Sequence, residues 1–506
     1  MKRSHILIRN VLYNFVGQSW LLILAFLSTP YIVYKLGDAA YGIFTIVTTV
    51  IGYFGFLNAG FGAAIVKYVA EFYAQKDFDS IKKTIGTSFV VFGIIGLIGG
   101  SLIAILTDLL VKVILHIPEN LMHTARFAFY ISAIGFLINM PLNIFSAIPR
   151  ALQRFDIVNK VNIFVGSLQI LLTVLLLILG YSLNEIVIMN VLISILSIFI
   201  HIFITKRLLN GVSLKPTFHW DLFLKFFKFG GWVGVRQLMQ VLVIHLDKFV
   251  IGVFLPISEL TYYAVPHSLS QRIGLIPSNI MPIMLPAISE LGIMNEKYKI
   301  KELFIRALRF ITVGVLPLCL IIIVYAHQIL LFWLGNEFAQ KATLTLQILS
   351  LSFLFCNLGW LSAVSSQGID RPDMPAVLYI VQVIIHLCLC FIIIPELGIN
   401  GAAFSFGLTN SVGAWVLTVF ITKKLGIGIY EIVKQAFLKS TITGFFLIFV
   451  MLLLKPIVNN VLIFILVCLL SYITYLILAF FMIIDNNDRR TLVDYFSQKW
   501  RTVIVR

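Results

Sequence analysis

Charged side chains are scarce in this sequence: Asp, Glu, Lys and Arg make up 12% of its 506 residues, whereas hydrophobic residues make up 60%. An average soluble domain carries about 25% charged residues, so this chain has too few to cover a water-facing surface. Its mean hydropathy of +1.01 is typical of a chain that lies mostly in lipid. The composition excludes a soluble globular protein and predicts an all-α polytopic membrane protein, because helices satisfy their own backbone groups in lipid.

Polar segments and catalytic motifs are also missing. No long polar stretch separates the apolar runs, so the net charge of +16 does not indicate a nucleic-acid-binding domain. The five cysteines lie in apolar runs without a CxxC pair, and the sequence contains no GxxxxGK[ST], HExxH or GxSxG motif. We therefore predict that the protein is not an enzyme, holds no cofactor or metal, and binds no nucleic acid.

Long apolar runs recur along the whole chain. A run of about 20 apolar residues is long enough to cross the hydrocarbon core of a bilayer as a helix. The predicted spans are 11–34, 42–66, 85–106, 124–148, 161–181, 186–205, 229–254, 260–287, 310–330, 343–365, 375–394, 400–421, 440–454 and 461–484. The sequence therefore predicts fourteen transmembrane helices.

Lysine and arginine are distributed unevenly between the two sides of these predicted spans. One set of loops contains only Lys35, Lys112, Lys341 and Lys455, whereas the other set, together with both termini, contains most of the remaining basic residues. Basic residues accumulate in cytoplasmic loops, so both termini are predicted to be cytoplasmic. We expect a multi-pass protein of the cytoplasmic membrane whose positive charge reflects its topology.

The sequence also repeats itself. The segment YKLGDAAYGIF joins the first two spans, and the similar segment VFLPISELTYYAV joins the seventh and eighth. Two later loops, ALQRFDIVN and QGIDRPDMPA, align Arg154 with Arg371 and Asp156 with Asp373 at a shift of 217 residues. We infer two six-helix lobes with the same topology, related as parallel repeats, with two helices appended.

The predicted domain boundaries follow from this repeat. They are an N-terminal lobe at 1–205, a basic cytoplasmic linker at 206–228, a C-terminal lobe at 229–421, the last two helices at 422–484 and a basic cytoplasmic tail at 485–506. The linker and the tail suit segments that lie on an anionic membrane surface, because both combine basic residues with tryptophan.

Ionisable residues within a predicted span are costly and commonly mark a substrate path. The seventh span carries Arg236, Gln240 and Asp247 on one face, at i, i+4 and i+11, with Lys248 nearer its outer end. The eighth span carries Arg272 near its midpoint, too deep for its side chain to reach the lipid headgroups easily. These residues are candidates for a polar route through the membrane.

Polar side chains occur in the matching spans as well. Asn14 and Gln18 share a face of the first span, Asn58 lies in the second, and Asn279 shares a face with Arg272. Because spans 1, 2, 7 and 8 occupy matching positions in the two halves, we predict one polar route lined by all four. The predicted substrate-binding residues are Arg272, Arg236, Asn14, Gln18, Asn58, Gln240 and Asn279, and Asp247 and Lys248 are predicted to act in coupling or gating.

Helix-breaking residues cluster in two of these spans. The eighth contains Pro266, Pro277, Pro282 and Pro286, and the second contains Gly52, Gly55, Gly60 and Gly62. Interruptions at corresponding positions of two repeats point to a binding region and to helices that bend during transport. Prolines that kink helices simply to improve their packing are the alternative.

Each arginine has two interpretations. Arg272 forms an ion pair with Asp247, since their depths differ by roughly 6 Å at 1.5 Å per residue, or it binds a substrate. Arg236 extends to the inner lipid headgroups, or it also faces the cavity. Unpaired cavity arginines favour an anionic substrate such as a diphosphate, because the planar guanidinium donates several hydrogen bonds to phosphate oxygens.

Three segments carry a family resemblance. They are NVLYNFVGQSWLLILAFLSTPYIVYKLGDAAYGIFTIVTTVIGYFGFLNAGFGAAIVKYVAE, HLDKFVIGVFLPISELTYYAV and QGIDRPDMPA. They resemble the polysaccharide transporter family, which includes Wzx-type flippases, within the superfamily that also holds multidrug and toxin extrusion transporters and lipid II flippases. The family pattern matches the LGDAAYG turn, the LDK of 246–248 and the pair Tyr262 and Tyr263, whereas the cavity arginines have no residue-by-residue match.

The resemblance implies a flippase for an undecaprenyl-diphosphate-linked oligosaccharide, an O-antigen, capsule or related unit, that works by alternating access. Implied partners are this glycan lipid, membrane lipids, a polysaccharide polymerase and glycosyltransferases. The coupling ion, H⁺ or Na⁺ if there is one, is left open. The alternatives are a cation-coupled multidrug antiporter, a lipid II-type flippase and a non-transporting scaffold of a glycan-assembly complex.

Overall fold

The computed structural model describes residues 2–115, 117–209, 215–294, 296–369, 371, 373–485 and 488–490. The side chains of 2–16, 54–60, 63, 228–233, 236, 282–283, 286 and 293 lie outside the description. All regular structure in the described residues is helical. The predicted tail, 485–506, lies largely outside the described residues.

Seventeen α-helices follow one another in the described chain. They are α1 (Lys2–Leu36), α2 (Asp38–Ala74), α3 (Phe78–Leu109), α4 (Glu119–Leu142), α5 (Ile144–Ala151), α6 (Phe155–Ile178), α7 (Leu183–Leu208), α8 (Trp220–Phe254), α9 (Glu259–Gln271), α10 (Leu275–Ile293), α11 (Lys297–Val324), α12 (Ala326–Leu334), α13 (Asn336–Gly368), α14 (Asp373–Lys424), α15 (Ile429–Ile432), α16 (Lys439–Leu454) and α17 (Val461–Met482). The seventh predicted span lies in α8 and the eighth in α9 and α10.

Eleven helical segments of the described chain are long and apolar enough to cross a membrane. The prediction of an all-α, multi-pass membrane protein is therefore confirmed. The longest helix, α14, has 52 residues, or about 78 Å, against a hydrocarbon core of about 30 Å. Gly398 breaks it, with φ 58° and ψ −139°, between the predicted spans 375–394 and 400–421. The count of fourteen and the two lobes stay predictions.

The eighth predicted span is interrupted, as its prolines indicate. Between α9 and α10, residues Arg272–Gly274 form a tighter 3₁₀ turn. Pro277 has no backbone N–H, so the carbonyl of Ile273 cannot accept the usual helical hydrogen bond, and the chain tightens just before it. The second span behaves differently, since α2 is one continuous helix of 37 residues in spite of its glycines.

Two compact units make up the chain. Unit 1 comprises Met1–Ala264 and Val383–Ala402, and unit 2 comprises Val265–Gln382 and Ala403–Arg506. The predicted lobe boundaries at 205 and 229 remain predictions. The predicted linker, 206–228, includes the first turns of α8, which begins at Trp220.

Unit 1 has its main described core where α2, α3, α4 and α5 meet. Ile65 and Val69 of α2 pack with Phe92 of α3 and Phe145 of α5, all with at most 3% of their surface exposed. Elsewhere in the unit, α2 packs along α8, and α1 packs on α6. This arrangement fixes α8 against α2, which matters for the site below.

Unit 2 has its described core between α11, α16 and α17. Tyr325 lies beside Met451 and Tyr475, and its hydroxyl donates to the backbone oxygen of Met451 at 2.9 Å. Three ion pairs join the first half of α11 to the residues that follow α17 and to α15. They are Arg309 with Asp485, Arg306 with Asp488 at 2.5 Å, and Lys301 with Glu431 at 2.6 Å. The last two predicted helices are thus an integral part of unit 2.

The two loops that align at a shift of 217 residues have the same local geometry. Arg154 donates from Nε and Nη2 to the two carboxylate oxygens of Asp156, both at 3.0 Å. Arg371 makes the same two bonds to Asp373, again at 3.0 Å. In both loops the arginine backbone N–H also donates to the carbonyl five residues earlier. The sequence repeat therefore corresponds to a repeated turn.

Candidate functional site

Asp247 lies in α8 with no exposed surface. Its Oδ1 accepts a hydrogen bond from the backbone N–H of Lys248 at 2.8 Å, and its Oδ2 accepts one from the hydroxyl of Tyr263. A buried carboxylate is costly unless it is hydrogen-bonded and faces an opposite charge. Tyr263 is the second residue of the pair Tyr262 and Tyr263, and its hydroxyl stabilises the buried Asp247 carboxylate by this hydrogen bond.

Lys248 supplies the opposite charge. Its side chain is 8% exposed, and Lys248 is the residue that follows Asp247 in the chain. Its Nζ lies 3.3 Å from Nδ1 of His245, one helical turn away, and the backbone oxygen of His245 accepts a hydrogen bond from the hydroxyl of Tyr53 at 2.8 Å. We call Asp247, Lys248, His245 and Tyr263 the Asp247 cluster. It joins α8 to α9 and, through Tyr53, to α2.

The segments YKLGDAAYGIF and VFLPISELTYYAV, which align in the sequence repeat, contact each other in unit 1. Thr261 donates from its hydroxyl to the backbone oxygen of Asp38 at 2.6 Å, and Tyr262 donates to the Asp38 carboxylate. A Cβ on Gly42 would overlap the carbonyl oxygen of Ile257, so only glycine allows this approach. The LGDAAYG and LTYY motifs are therefore the two halves of one contact, which we call the turn contact.

Replacing Tyr262 with phenylalanine should lower the free energy of unfolding by about 1.5 kcal/mol, because a hydrogen bond to a carboxylate is lost. Equilibrium unfolding of the purified protein in mixed micelles measures this change. Tyr41→Phe is the matched control, since Tyr41 lies in the same turn and its hydroxyl bonds to no residue of the described chain. An equal loss in both variants would show that the bond to Asp38 contributes nothing specific.

Arg272 and Asn279 belong to unit 2. Arg272 has an exposed side chain at the 3₁₀ turn between α9 and α10, and within the described residues of unit 2 it forms no ion pair. Asn279 donates from Nδ2 to the carbonyl of Leu275 at 2.6 Å. Its Oδ1 is left to accept. Trp360 packs against Gly274 beside this turn.

The remaining predicted site residues are less well placed. Gln18 lies exposed on α1, next to Gly17, which packs closely on Ile163 of α6. Gln240 is half-buried in α8. The side chains of Asn14, Asn58 and Arg236 lie outside the described residues. The pairing of Asp247 with Arg272 stays a prediction.

Comparison of the sequence with protein-family models shows which family the chain belongs to. Residues 36–343 match the model of a family described as polysaccharide biosynthesis protein, which is more than half of the chain. The chain belongs to this family. The matched range includes the turn contact, the Asp247 cluster and Arg272.

Relatives of this polysaccharide biosynthesis protein agree with that assignment. A Shigella flexneri protein named "Putative O-antigen transporter" is 21% identical over 418 residues, which cover 82% of this chain and 98% of that protein. The family and such relatives are transporters rather than enzymes.

Solved structures show the fold of this polysaccharide biosynthesis protein. An inward-facing multidrug resistance transporter of the MATE family, in the MOP superfamily, has a TM-score of 0.71 at 14% identity, covering 82% of this chain and 98% of that chain. The lipid II flippase MurJ, in an inward closed conformation, has a TM-score of 0.70 at 15% identity, covering 91% and 97%. The protein therefore has the MOP-superfamily transporter fold.

Proposed function

We propose that this protein is a flippase that moves an undecaprenyl-diphosphate-linked oligosaccharide from the inner to the outer leaflet of the cytoplasmic membrane. The observation that carries the proposal is Arg272. Its guanidinium is exposed at the 3₁₀ turn that interrupts the eighth predicted span and has no carboxylate partner among the described residues of its unit. A cation left unpaired at such a depth needs an anionic ligand, because an unpaired charge there is costly.

The diphosphate of the carrier lipid suits this arginine. A guanidinium presents several N–H donors in one plane and can bind two phosphate oxygens at once. The Arg272–Gly274 turn also departs from regular helical hydrogen bonding, which leaves backbone groups near the ligand. Asn279, seven residues further along the chain in α10, can add the second N–H of its amide as a further donor to the phosphate. We assign supporting contacts to Arg236, Asn14, Gln18, Asn58 and Gln240.

The Asp247 cluster is assigned to gating or ion coupling rather than to the substrate. Asp247 is fully buried and both of its carboxylate oxygens accept hydrogen bonds. A proton or a Na⁺ ion that reached this carboxylate would weaken its attraction to Lys248 and its bond to Tyr263, and so loosen α8 from α9. The same burial disfavours a cation-coupled drug antiporter, because the carboxylate is not accessible to a bulky cationic drug.

The proposed topology gives the transport its direction. Fourteen spans, twelve in two six-helix lobes and two appended after them, with both termini in the cytoplasm, would place the basic loops at the inner surface where the glycan lipid is made. Alternating access between the lobes would then release it at the outer leaflet. A polymerase and glycosyltransferases acting on the same glycan are the expected partners.

Deletion of the gene followed by lipid extraction tests the proposal. The flippase function requires lipid-linked repeat units to accumulate on the cytoplasmic side and surface glycan to fall, with both restored by the wild-type gene. Normal lipids and normal surface glycan would reject the function. Sensitivity to cationic dyes, measured in the same strain, is expected to be unchanged, whereas increased sensitivity would favour the antiporter.

A further inference from the structure

Two adjoining cavities lie inside unit 1, between α2, α4, α5, α6 and α7. Their volumes are about 410 Å³ and about 370 Å³, each within the range of small-molecule sites. They share five lining residues, Asn139, Asn143, Gln169, Asn190 and Ser194. Because of this shared wall they form one continuous space, which we call the amide cavity. None of its residues was among the predicted site residues.

Amide side chains dominate the polar wall of this cavity. Asn139 of α4 donates from Nδ2 to the hydroxyl of Ser194 at 2.7 Å, and that hydroxyl in turn donates to the carbonyl of Val191. These bonds hold α4 against α7 and fix the orientation of the Asn139 amide. Its carbonyl oxygen is the group left over.

Two buried amide oxygens in the wall are unsatisfied. Oδ1 of Asn139 and Oδ1 of Asn190 accept no hydrogen bond from any described residue, although each atom is buried. An unsatisfied buried carbonyl costs about 1–3 kcal/mol, and a rotation of either side chain toward the cavity would offer its oxygen a donor there. That donor would belong to a polar ligand or to bound water.

The charged residues that line the amide cavity restrict which class of ligand can bind there. Among the described lining residues there is no carboxylate and no lysine, and the single arginine, Arg150, lies at one end beside His201. A phosphate would lack cations in the interior, and a cationic drug would lack a counter-ion. A neutral ligand with many hydroxyl groups fits, because each hydroxyl both donates and accepts, as does each amide. Phe44 and Phe136 supply apolar wall for the carbon face of such a ring.

We propose that the amide cavity binds a neutral sugar residue of the lipid-linked glycan. The site rests on the proposed flippase function and deepens it, since it assigns the sugar a binding site of its own within unit 1. The cavity extends from the middle of α4 and α7 toward Arg150 of α5 and His201 of α7. The sugar would enter from that end.

Binding of two lipids to the purified protein in nanodiscs tests this site. The probes are undecaprenyl diphosphate carrying the oligosaccharide of the cell's own surface glycan, and bare undecaprenyl diphosphate. Wild type should bind the glycosylated lipid more tightly. Asn190→Leu and Gln169→Leu should each weaken binding of the glycosylated lipid roughly five- to tenfold, the scale of a neutral hydrogen bond, and leave binding of the bare lipid unchanged.

Asn184→Leu is the matched control. Asn184 lies on α7 like Asn190 and also has a buried, unsatisfied Oδ1, but it does not line the cavity. The Asn184→Leu variant should therefore bind both lipids as the wild-type protein does. Gln169 is exposed on the cavity wall, so Gln169→Leu carries the test if Asn190→Leu does not fold.

The sugar site would be overturned if the wild-type protein bound both lipids equally well. It would also be overturned if the cavity variants kept the preference for the glycosylated lipid, or if they bound both lipids more weakly by the same factor. Failure of the flippase function itself looks different. In that case neither lipid binds, or Arg272→Gln leaves the binding of both lipids unchanged.

Discussion

Glycan export should fall about 10- to 100-fold when Arg272 is replaced by glutamine, the loss expected when a charge-assisted pair of hydrogen bonds to phosphate is removed. Glutamine retains an amide donor and a similar length but neither the charge nor the planar fork. The variant gene is expressed in the deletion strain, and surface glycan and cytoplasmic-side lipid-linked units are measured together. Arg272→Lys should recover part of the activity, because a point charge binds phosphate without the bidentate geometry.

Arg126→Gln provides the control for this result. Arg126 is also an arginine within a helix, but its Nε lies 2.9 Å from Asp108, so it is already paired. Its replacement should leave export within about twofold of wild type. Export that survives Arg272→Gln at the wild-type level would remove Arg272 from the substrate path and leave the flippase without its central contact.

Lys248→Met should destabilise unit 1 by about 3–5 kcal/mol, the cost of leaving a buried charge without its partner. Asp247 is fully buried, so in this variant its carboxylate retains only the Tyr263 hydroxyl and one backbone N–H. The double variant Asp247→Asn with Lys248→Met removes both charges and should recover most of the lost stability. Unfolding midpoints in detergent, compared across the wild type, Lys248→Met, Asp247→Asn and the double variant, give the coupling between the two residues.

Transport measurements separate the two roles of this cluster. If it acts in gating or coupling, the stable double variant should still bind the glycan lipid but lose its response to pH or Na⁺. Additive effects of the two single replacements on stability would contradict a direct Asp247–Lys248 interaction. A double variant with normal ion-dependent transport would reduce the cluster to a structural role.

Local composition was enough to predict most of the helical architecture. The apolar runs, the break at the prolines of the eighth span and the repeated Arg-x-Asp turns all depend on neighbours close in sequence. The glycines of α2 do not interrupt that helix, because glycine permits a bend without requiring one; that α2 bends during transport stays a prediction. No comparable sequence pattern predicted the contacts between segments that are far apart in the chain.

The candidate site shows the same limit. Asp247 and Lys248 stand out in sequence because charges are rare in apolar runs, but their partners, Tyr263 and Tyr53, look like ordinary membrane tyrosines. The amide cavity is assembled from single amides on separate helices. Its local signals are polar residues at i, i+4 spacing, Asn139 with Asn143 and Asn190 with Ser194, which many helices share. Only the packing of α4, α6 and α7 turns these isolated residues into one wall.

The ion pair of Arg309 with Asp485 has a consequence for how the protein is made. The two residues are 176 positions apart in the chain, and Arg309 is only 7% exposed once they meet. At about 5–20 residues per second, the ribosome needs roughly 10–35 s to supply the carboxylate after it has made the arginine. During that interval Arg309 must stay in contact with water or with insertion factors. Arg309 can therefore reach its final buried environment only after the residues that follow α17 have been made.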